Sequence, residues 1–124
     1  NKGAILWNYA SGANADYNNA TECQRVAWYN ANSGYLTKQV GTRDANALGI
    51  YDMSGNVWEW CWDLYGTYPT TAQTDYRGVD SSISRIFRGG SWNYDAYYLI
   101  VGYRIYNSMD WECNYIGFRI TRTN

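Results

Sequence analysis

The last third of the chain, residues 88–119, is constrained at both of its ends by what the backbone requires. Two consecutive glycines, Gly89 and Gly90, open it, and glycine accepts tight or left-handed backbone paths that residues with a Cβ resist. Apolar residues at every second position close it over residues 116–120, which is the period of a half-buried strand. The sequence therefore predicts a stretch held by a tight turn at one end and by a strand at the other.

Between these ends the composition is typical of a binding surface. Six of the chain's 14 tyrosines lie here, interleaved with Asn, Asp and Ser, and no lysine is present. Tyrosine gives a large contact area for little rotamer entropy, and the small polar residues supply adaptable hydrogen bonds. Ordinary half-buried packing is a fair explanation for any two of these tyrosines, but a weaker one for six. We therefore predict that residues 93–115 form a binding site.

Length, charge and composition exclude several classes of function. A chain of 124 residues is at most one domain with a modest core. The net charge is −1 and the ten Lys and Arg residues are scattered, which argues against a nucleic-acid partner. No apolar run approaches the ~20 residues that span a bilayer, so we expect no direct membrane insertion of this segment. The first residues carry no targeting signal.

The chain has three cysteines and no histidine. The wide spacing of Cys23, Cys61 and Cys113 fits neither a disulfide framework nor a zinc motif. Without histidine, Ser–His and Cys–His nucleophile pairs are excluded, as are histidine-ligated zinc and iron sites. We interpret the cysteines as small buried apolar residues, above all Cys61.

The remaining pattern predicts a few short strands, little helix and much irregular loop. Thr21 and Gln24 have capping-box spacing, which predicts a helix over residues 22–29. After the turn residues Ser54-Gly55-Asn56, three tryptophans alternate with other residues, which predicts a strand with Trp58, Trp60 and Trp62 in the core. We expect Trp92 and Phe118 to be buried with them beneath the binding site. Further strands are expected over residues 4–7, 86–87, 99–105 and 116–120, with a long surface loop over residues 64–84.

Two motifs carry a resemblance to a known family. Residues 49–60 read GIYDMSGNVWEW, and RGGSW at residues 88–92 is followed at a distance by GFR at residues 117–119. In this order they resemble the formylglycine-generating-enzyme superfamily, a branch of the C-type lectin fold, and the resemblance covers about residues 17–120. It implies an α+β fold of short strands and long irregular loops. It also implies one domain, residues 1–124, that is the C-terminal part of a C-type-lectin-like domain without its N-terminal half.

Within the superfamily, residues 88–119 are most similar to the variable region of proteins diversified by retroelements, including treponemal surface lipoproteins. In those proteins template adenines are mutagenised, so that Tyr, Asp, Asn and Ile recur at set positions. The resemblance implies a non-catalytic protein at the cell surface or outside the cell, with a macromolecular ligand that we expect to be a protein. The ligand-binding residues that it implies are Asn93, Tyr94, Asp95, Tyr97, Tyr98, Tyr103, Ile105, Tyr106, Asn107, Asp110, Trp111, Asn114 and Tyr115.

Two other functions are weighed against binding. An oxidase of the formylglycine-generating type uses two redox cysteines shortly after its RGGS motif, and those places fall on Leu99 and Arg104, which carry no thiol. The iron-dependent sulfur-transfer members rely on histidines, which this chain lacks. The carboxylate and amide signatures of calcium-dependent sugar lectins are not evident. A binding module is therefore favoured over an enzyme and over a sugar lectin.

The turn before the tryptophan strand is a candidate calcium site. Asp52 and Glu59 supply carboxylates, and Gly55 and Val57 can offer backbone carbonyls, which suits an ion that accepts irregular oxygen coordination. Matching positions hold calcium in the enzyme family that the chain resembles. The alternative is that Asp52 closes the turn and Glu59 faces a basic partner such as an arginine. The sequence leaves both open.

Overall fold

The structure is a computed structural model that describes residues 8–122. Two short helices come first, and four short strands follow at wide intervals. A 3₁₀ turn, Ala96–Leu99, lies between the second and third strands. The α+β organisation with little helix, short strands and long loops is confirmed. The elements are α1 (Ala20–Val26), α2 (Asn30–Ser33), β1 (Trp58–Leu64), β2 (Ser84–Arg88), β3 (Ile105–Ser108) and β4 (Ile116–Phe118).

The four strands form one mixed sheet in the order β3-β2-β1-β4. Strand β2 runs antiparallel to β1, with Phe87 opposite Trp60, and β3 runs antiparallel to β2. Strand β4 runs parallel to β1, with Ile116 opposite Trp58. Strands β2 and β4 thus flank β1 on its two sides. The residues between them in sequence, 89–115, are therefore anchored at both ends to the same central strand.

The first helix begins and ends earlier than its sequence predicts. Asn19 caps it by accepting a hydrogen bond from the Glu22 N–H at 3.1 Å, so that the cap lies two residues before Thr21. The helix ends at Val26, and α2 follows after three residues and stops at Gly34, whose φ is 63°. The strand predicted over residues 4–7 lies outside the described residues.

The strand predicted over residues 99–105 is wrong over most of its length. The 3₁₀ turn Ala96–Leu99 occupies its start, capped by Asp95, whose carboxylate accepts the Tyr97 N–H at 2.9 Å. Strand β3 begins only at Ile105. The apolar run at Leu99 and Ile100 reflects burial in the core rather than strand pairing, because both side chains are buried and only Ile100 makes an isolated bridge.

The core contains different residues from those that the alternating pattern predicts. One buried cluster joins the first helix to the 3₁₀ turn through Cys23, Val26, Tyr29 and Leu99. The thiol that is fully buried is therefore that of Cys23, and Cys61 is only half-buried. Burial raises the pKa of both thiols. The three cysteines form no disulfide within residues 8–122.

Of the tryptophans predicted to fill the core, only Trp58 does so completely. Trp60 and Trp92 are half-buried, whereas Trp62 is 83% exposed. The register of β1 against β2 shifts between Trp60 and Leu64, so the regular pairing of the two strands is interrupted in the segment that contains Trp62. Phe118 is 77% exposed, which is also contrary to prediction, because β4 is a three-residue edge strand with a neighbour on one side only.

Within residues 8–122, no helix has the length and apolar character that crossing a membrane requires.

Candidate functional site

The turn Ser54-Gly55-Asn56 ties the start of residues 89–115 to the rest of the fold. The Gly55 N–H donates to the Gly89 carbonyl at 2.7 Å, and the Trp92 N–H donates to the Asn56 carbonyl at 2.8 Å. The Ser54 hydroxyl, itself buried, donates to the Leu99 carbonyl at 2.9 Å. These three hydrogen bonds therefore fix both the start of residues 89–115 and the 3₁₀ turn within them.

The two glycines of the RGGSW motif adopt the left-handed path that the sequence predicts. Gly89 has a φ of 99° and Gly90 a φ of 74°. A Cβ added to Gly90 would lie 2.9 Å from the carbonyl oxygen of Tyr98, which is closer than real Cβ atoms come. The motif thus folds the chain back against the 3₁₀ turn, and the tyrosines beside that turn are brought over β1.

These tyrosines join a connected group of rings, which we call the aromatic cluster. Tyr94 lies edge-on to Trp58 with ring centroids 5.4 Å apart, and the Tyr94–Tyr98 and Tyr98–Tyr103 centroids are each 5.0 Å apart. Edge-to-face contacts at these distances are the favoured geometry for aromatic pairs. The cluster consists of Trp58, Phe87, Tyr94, Tyr97, Tyr98, Tyr103, Trp111 and Tyr115. Two rings outside this set, those of Tyr17 and Trp60, contact it at Tyr97 and Phe87.

Residues near the C-terminal end of residues 89–115 contact the same cluster. Trp111 stacks on Phe87 with centroids 5.6 Å apart, and its ring lies 5.8 Å from that of Tyr115. Tyr115 in turn lies 5.8 Å from Tyr94. Residues 21 positions apart in the chain are therefore neighbours, because β4 returns beside β1 immediately after Tyr115.

The cluster extends from the core to the surface. Trp58 and Phe87 are buried beneath it, and Tyr94, Tyr98 and Tyr103 are half-buried. Tyr97, at its outer edge, is 45% exposed. This gradient means that the outer rings rest on fixed inner rings, so the surface is pre-organised rather than assembled from mobile side chains.

The phenol groups of Tyr103 and Tyr115 remain protonated at physiological pH. Burial, followed by the nearby Tyr94 hydroxyl and Cys113, raises the pKa of Tyr115 to about 12. Burial also raises the pKa of Tyr103, with smaller contributions from Tyr98, Tyr97 and Tyr94 and from the carboxylate of Asp95. These two residues therefore offer neutral hydroxyls, which both donate and accept hydrogen bonds.

Thirteen residues are predicted to bind the ligand, and the aromatic rings of six of them contact one another in the structure. The other seven lie in the same stretch of the chain, residues 93–115. Asn93 accepts a hydrogen bond from the Ser91 hydroxyl at 2.7 Å, and Ile105 lies opposite Phe87 in the sheet. Asp95, Asp110 and Asn114 are exposed. The six that share ring contacts are Tyr94, Tyr97, Tyr98, Tyr103, Trp111 and Tyr115.

Tyr106 belongs to a second aromatic group. Its ring, 47% exposed, stacks on that of Tyr65 with centroids 3.6 Å apart. Its neighbour Asn107 pairs with Arg85 in the sheet. The sequence predicts the segment that contains Tyr65 only as the start of a surface loop. Its position beside Tyr106, a predicted site residue, follows from the fold and not from the local sequence.

Two arginines connect the second group to the aromatic cluster. Arg88 donates to the carbonyls of Val101 and Tyr103 at 3.2 and 3.1 Å, and to the hydroxyl of Tyr68 at 2.7 Å. The guanidinium of Arg104 lies 3.7 Å from the centroid of Tyr68. These contacts hold the 64–84 loop against the site. The recurrence of tyrosine at positions 65 and 68 is the one sequence signal that could have indicated this.

The four residues predicted to bind calcium are arranged around an ion pair instead. Both carboxylate oxygens of Glu59 accept hydrogen bonds from Arg119, at 2.8 to 3.2 Å. One oxygen of Asp52 accepts the Gly41 N–H at 2.7 Å. A calcium ion takes six to eight oxygen ligands. The guanidinium of Arg119 already binds both oxygens of Glu59, and its positive charge repels a calcium ion. Residues 8–122 hold no group of three acidic or thiol side chains suited to a metal. In this arrangement Asp52, Gly55, Val57 and Glu59 do not fit calcium.

Calcium and a chelator test this site directly. Because Arg119 neutralises Glu59, we expect the melting temperature to be the same in millimolar calcium, in EDTA and in untreated buffer. Differential scanning fluorimetry measures it, with Glu59→Gln as the matched variant. A rise in melting temperature with calcium that Glu59→Gln abolishes would establish the cation site.

Comparison with known proteins agrees with this architecture. A model of the sulfatase-modifying factor enzyme 1-like domain matches residues 4–124. The chain belongs to this family. Among solved structures it is similar to Treponema denticola variable protein 1, with a TM-score of 0.78 and 38% identity over 90% of this chain and 43% of that one. The C-type-lectin-like fold of the formylglycine-generating-enzyme superfamily is therefore confirmed.

Curated relatives carry different names. The chain is 35% identical over 108 residues to chaperone protein LppX of Paenibacillus barcinonensis, covering 69% of this chain and 35% of that protein. It is 33% identical over 96 residues to a formylglycine-generating enzyme of Thermomonospora curvata, covering 69% of this chain and 31% of that protein. The chain thus spans about a third of the length of these relatives.

Proposed function

We propose that this chain is a non-catalytic binding domain that presents a variable, Tyr-, Asn- and Asp-rich surface on a C-type lectin scaffold. The observation that carries the proposal is the aromatic cluster. It contains six of the predicted binding residues and rests on the buried Trp58. The likeness to a treponemal variable protein over 90% of the chain supports it. By the same likeness, we propose display at the cell surface or outside the cell.

The proposed partner is a macromolecule, and specifically a protein. The cluster is shallow, with its outermost ring 45% exposed, whereas small ligands are usually enclosed in concave pockets. Rigid tyrosines beside small polar residues suit broad protein contacts. Diversification of residues 88–119 by a retroelement is part of the proposal. An adenine-biased template repeat and a reverse transcriptase in the neighbouring DNA would support it.

An oxidase of the formylglycine-generating type is the second candidate, because enzymes of that name are relatives. The positions where such an enzyme has its two redox cysteines hold Leu99 and Arg104. Leu99 is fully buried in the core, and Arg104 donates to the Gly66 carbonyl at 2.8 Å. Neither can form a disulfide or carry a thiolate. Turnover of a sulfatase-type cysteine peptide, with or without copper, would contradict the non-catalytic assignment.

Alanine substitution tests whether the cluster is the binding site. A partner captured with the intact chain should bind Tyr97→Ala about tenfold or more weakly if this tyrosine is a hot spot. The matched control is Tyr51→Ala, because Tyr51 is 47% exposed, close to the value for Tyr97, but lies outside the cluster. Isothermal titration calorimetry measures both affinities, beside melting curves. Equal affinities for the two variants would place the binding surface elsewhere.

A further inference from the structure

Three acidic side chains lie in the stretch that carries the aromatic cluster, and Arg88 at the start of that stretch is bound to the carbonyls of Val101 and Tyr103 and to the Tyr68 hydroxyl. Between Gly89 and Phe118 the chain has Asp95, Asp110 and Glu112 but only one basic residue, Arg104. All three carboxylates are exposed, and none takes part in an ion pair in the described part of the chain. Arg104 donates to the Gly66 carbonyl and lies over the ring of Tyr68. In the described part of the chain, the three exposed carboxylates are therefore not neutralised by an ion pair.

The acidic residues are close in sequence to residues that carry rings of the cluster. Asp110 and Glu112 flank Trp111, which contacts both Phe87 and Tyr115. Asp95 caps the turn that carries Tyr97, and its charge contributes to the raised pKa of Tyr103. A hydrogen bond from Ser108 lowers the pKa of Asp110, so this carboxyl is ionised at neutral pH. Negative charge and aromatic rings are thus carried by the same stretch of the chain.

No described basic side chain lies over a ring of the cluster, whereas four aromatic side chains elsewhere have a cation against them. Elsewhere in the described chain, Lys38 and Arg43 lie against Trp28, Arg85 lies over Trp62, and Arg104 lies over Tyr65 and Tyr68. The described basic side chains make no such contact with the cluster. Because the face of an aromatic ring is negative, these rings and the carboxylates present the same sign of potential.

We propose that the aromatic cluster recognises its partner protein through basic side chains, above all arginine, placed over its exposed rings and paired with Asp95, Asp110 and Glu112. The inference rests on the proposed binding function and adds the chemistry of the partner. Arginine fits best, because its planar guanidinium stacks on rings and pairs with carboxylates through two hydrogen bonds. A nucleic acid is disfavoured, since its phosphates would meet uncompensated carboxylates.

Peptide probes of opposite charge test this on the intact chain. An eight-residue peptide of alternating Arg and Gly should bind about tenfold more tightly than its Glu–Gly counterpart, and raising the salt from 50 to 300 mM should weaken it severalfold through screening. Binding is followed by calorimetry and by tryptophan fluorescence. The site variant is Asp110→Asn/Glu112→Gln. The control is Asp75→Asn/Asp80→Asn, which removes the same charge from exposed residues of the 64–84 loop.

Each outcome decides the proposal. The site variant should bind the arginine peptide at least about fivefold more weakly, and the control less than twofold, because only the former charges flank a residue of the cluster. Equal losses for both variants, or equal affinity for the two peptides, would reject a cationic partner. Saturable binding of tetramethylammonium alone, without affinity for the peptide, would assign the cluster to small cations and would also reject it. If a captured partner depends on Tyr97 but not on the carboxylates or on salt, the binding function stands and only this inference fails.

Discussion

Replacing Gly55 with alanine is expected to lower the free energy of unfolding by about 3 kcal/mol or more, the sum of backbone strain and steric overlap. Gly55 has a φ of 81°, and an added Cβ would overlap the carbonyl oxygen of Trp28 and lie 2.8 Å from its nitrogen. The backbone cannot move aside without loss, because Gly55 donates to Gly89, and Asn56 donates to Trp28, each at 2.7 Å. Urea denaturation followed by fluorescence measures the loss.

Gly49→Ala separates strain from overlap. Gly49 has a similar φ of 74°, but a Cβ there would meet nothing within 4 Å. Its cost should therefore be the conformational strain alone, about 1–2 kcal/mol. If both variants lose the same stability, the close packing of the turn against Trp28 contributes nothing, and the turn is not the anchor of residues 89–115. If Gly55→Ala loses clearly more, the anchor is established independently of any ligand.

The sequence predicts well those features that depend only on residues close together in the chain. Consecutive glycines at 89 and 90 require an unusual backbone path whatever the rest of the chain does, and they have positive φ in the structure. The strand that starts at Trp58 follows from alternation after a turn, and both are present. The family and its fold follow from two long motifs in the right order, and the comparisons confirm them.

Burial is less predictable, because it depends on what covers each face of the sheet. Trp58 and Trp62 have the same spacing pattern, but the register of β1 against β2 changes between Trp60 and Leu64, in the segment that contains Trp62. Phe118 alternates correctly but lies on an edge strand. Neither the change of register nor the edge position of β4 can be predicted from neighbouring residues in the sequence.

The membership of the candidate site was predictable only as a range. Composition indicates residues 93–115, but which tyrosines share a surface depends on where β4 returns. Tyr115 meets Tyr94 because β4 pairs with β1, whereas Tyr106 on β3 stacks on Tyr65 from the loop before β2. The contribution of that loop, through Tyr65 and Tyr68, was therefore missed. The role of the whole set in binding stays a prediction.

Two tryptophans on one strand should respond very differently to the same substitution. Trp58→Ala removes a fully buried indole whose ring lies 5.4 Å from both Phe87 and Tyr94, and the loss should be about 3–5 kcal/mol of unfolding free energy. Trp62→Ala removes a ring that is 83% exposed and whose main partner is Arg85, with the guanidinium 5.1 Å from its centroid. An exposed cation–π contact is worth about 0.5–1 kcal/mol, which sets the expected loss.

Trp58→Phe decides whether this buried ring also supports binding. Phenylalanine keeps an aromatic ring in the core, so this variant should remain folded with a smaller loss of stability than Trp58→Ala. The inner contacts with Tyr94, Tyr98 and Tyr103 would be loosened, because the smaller ring fills less of the space that they enclose. We therefore expect weaker partner binding from a folded protein, measured by calorimetry beside near-ultraviolet circular dichroism. Unchanged affinity in Trp58→Phe would mean that the outer rings bind without support from the core. Equal stability losses in Trp58→Ala and Trp62→Ala would mean that the buried position of Trp58 is wrong.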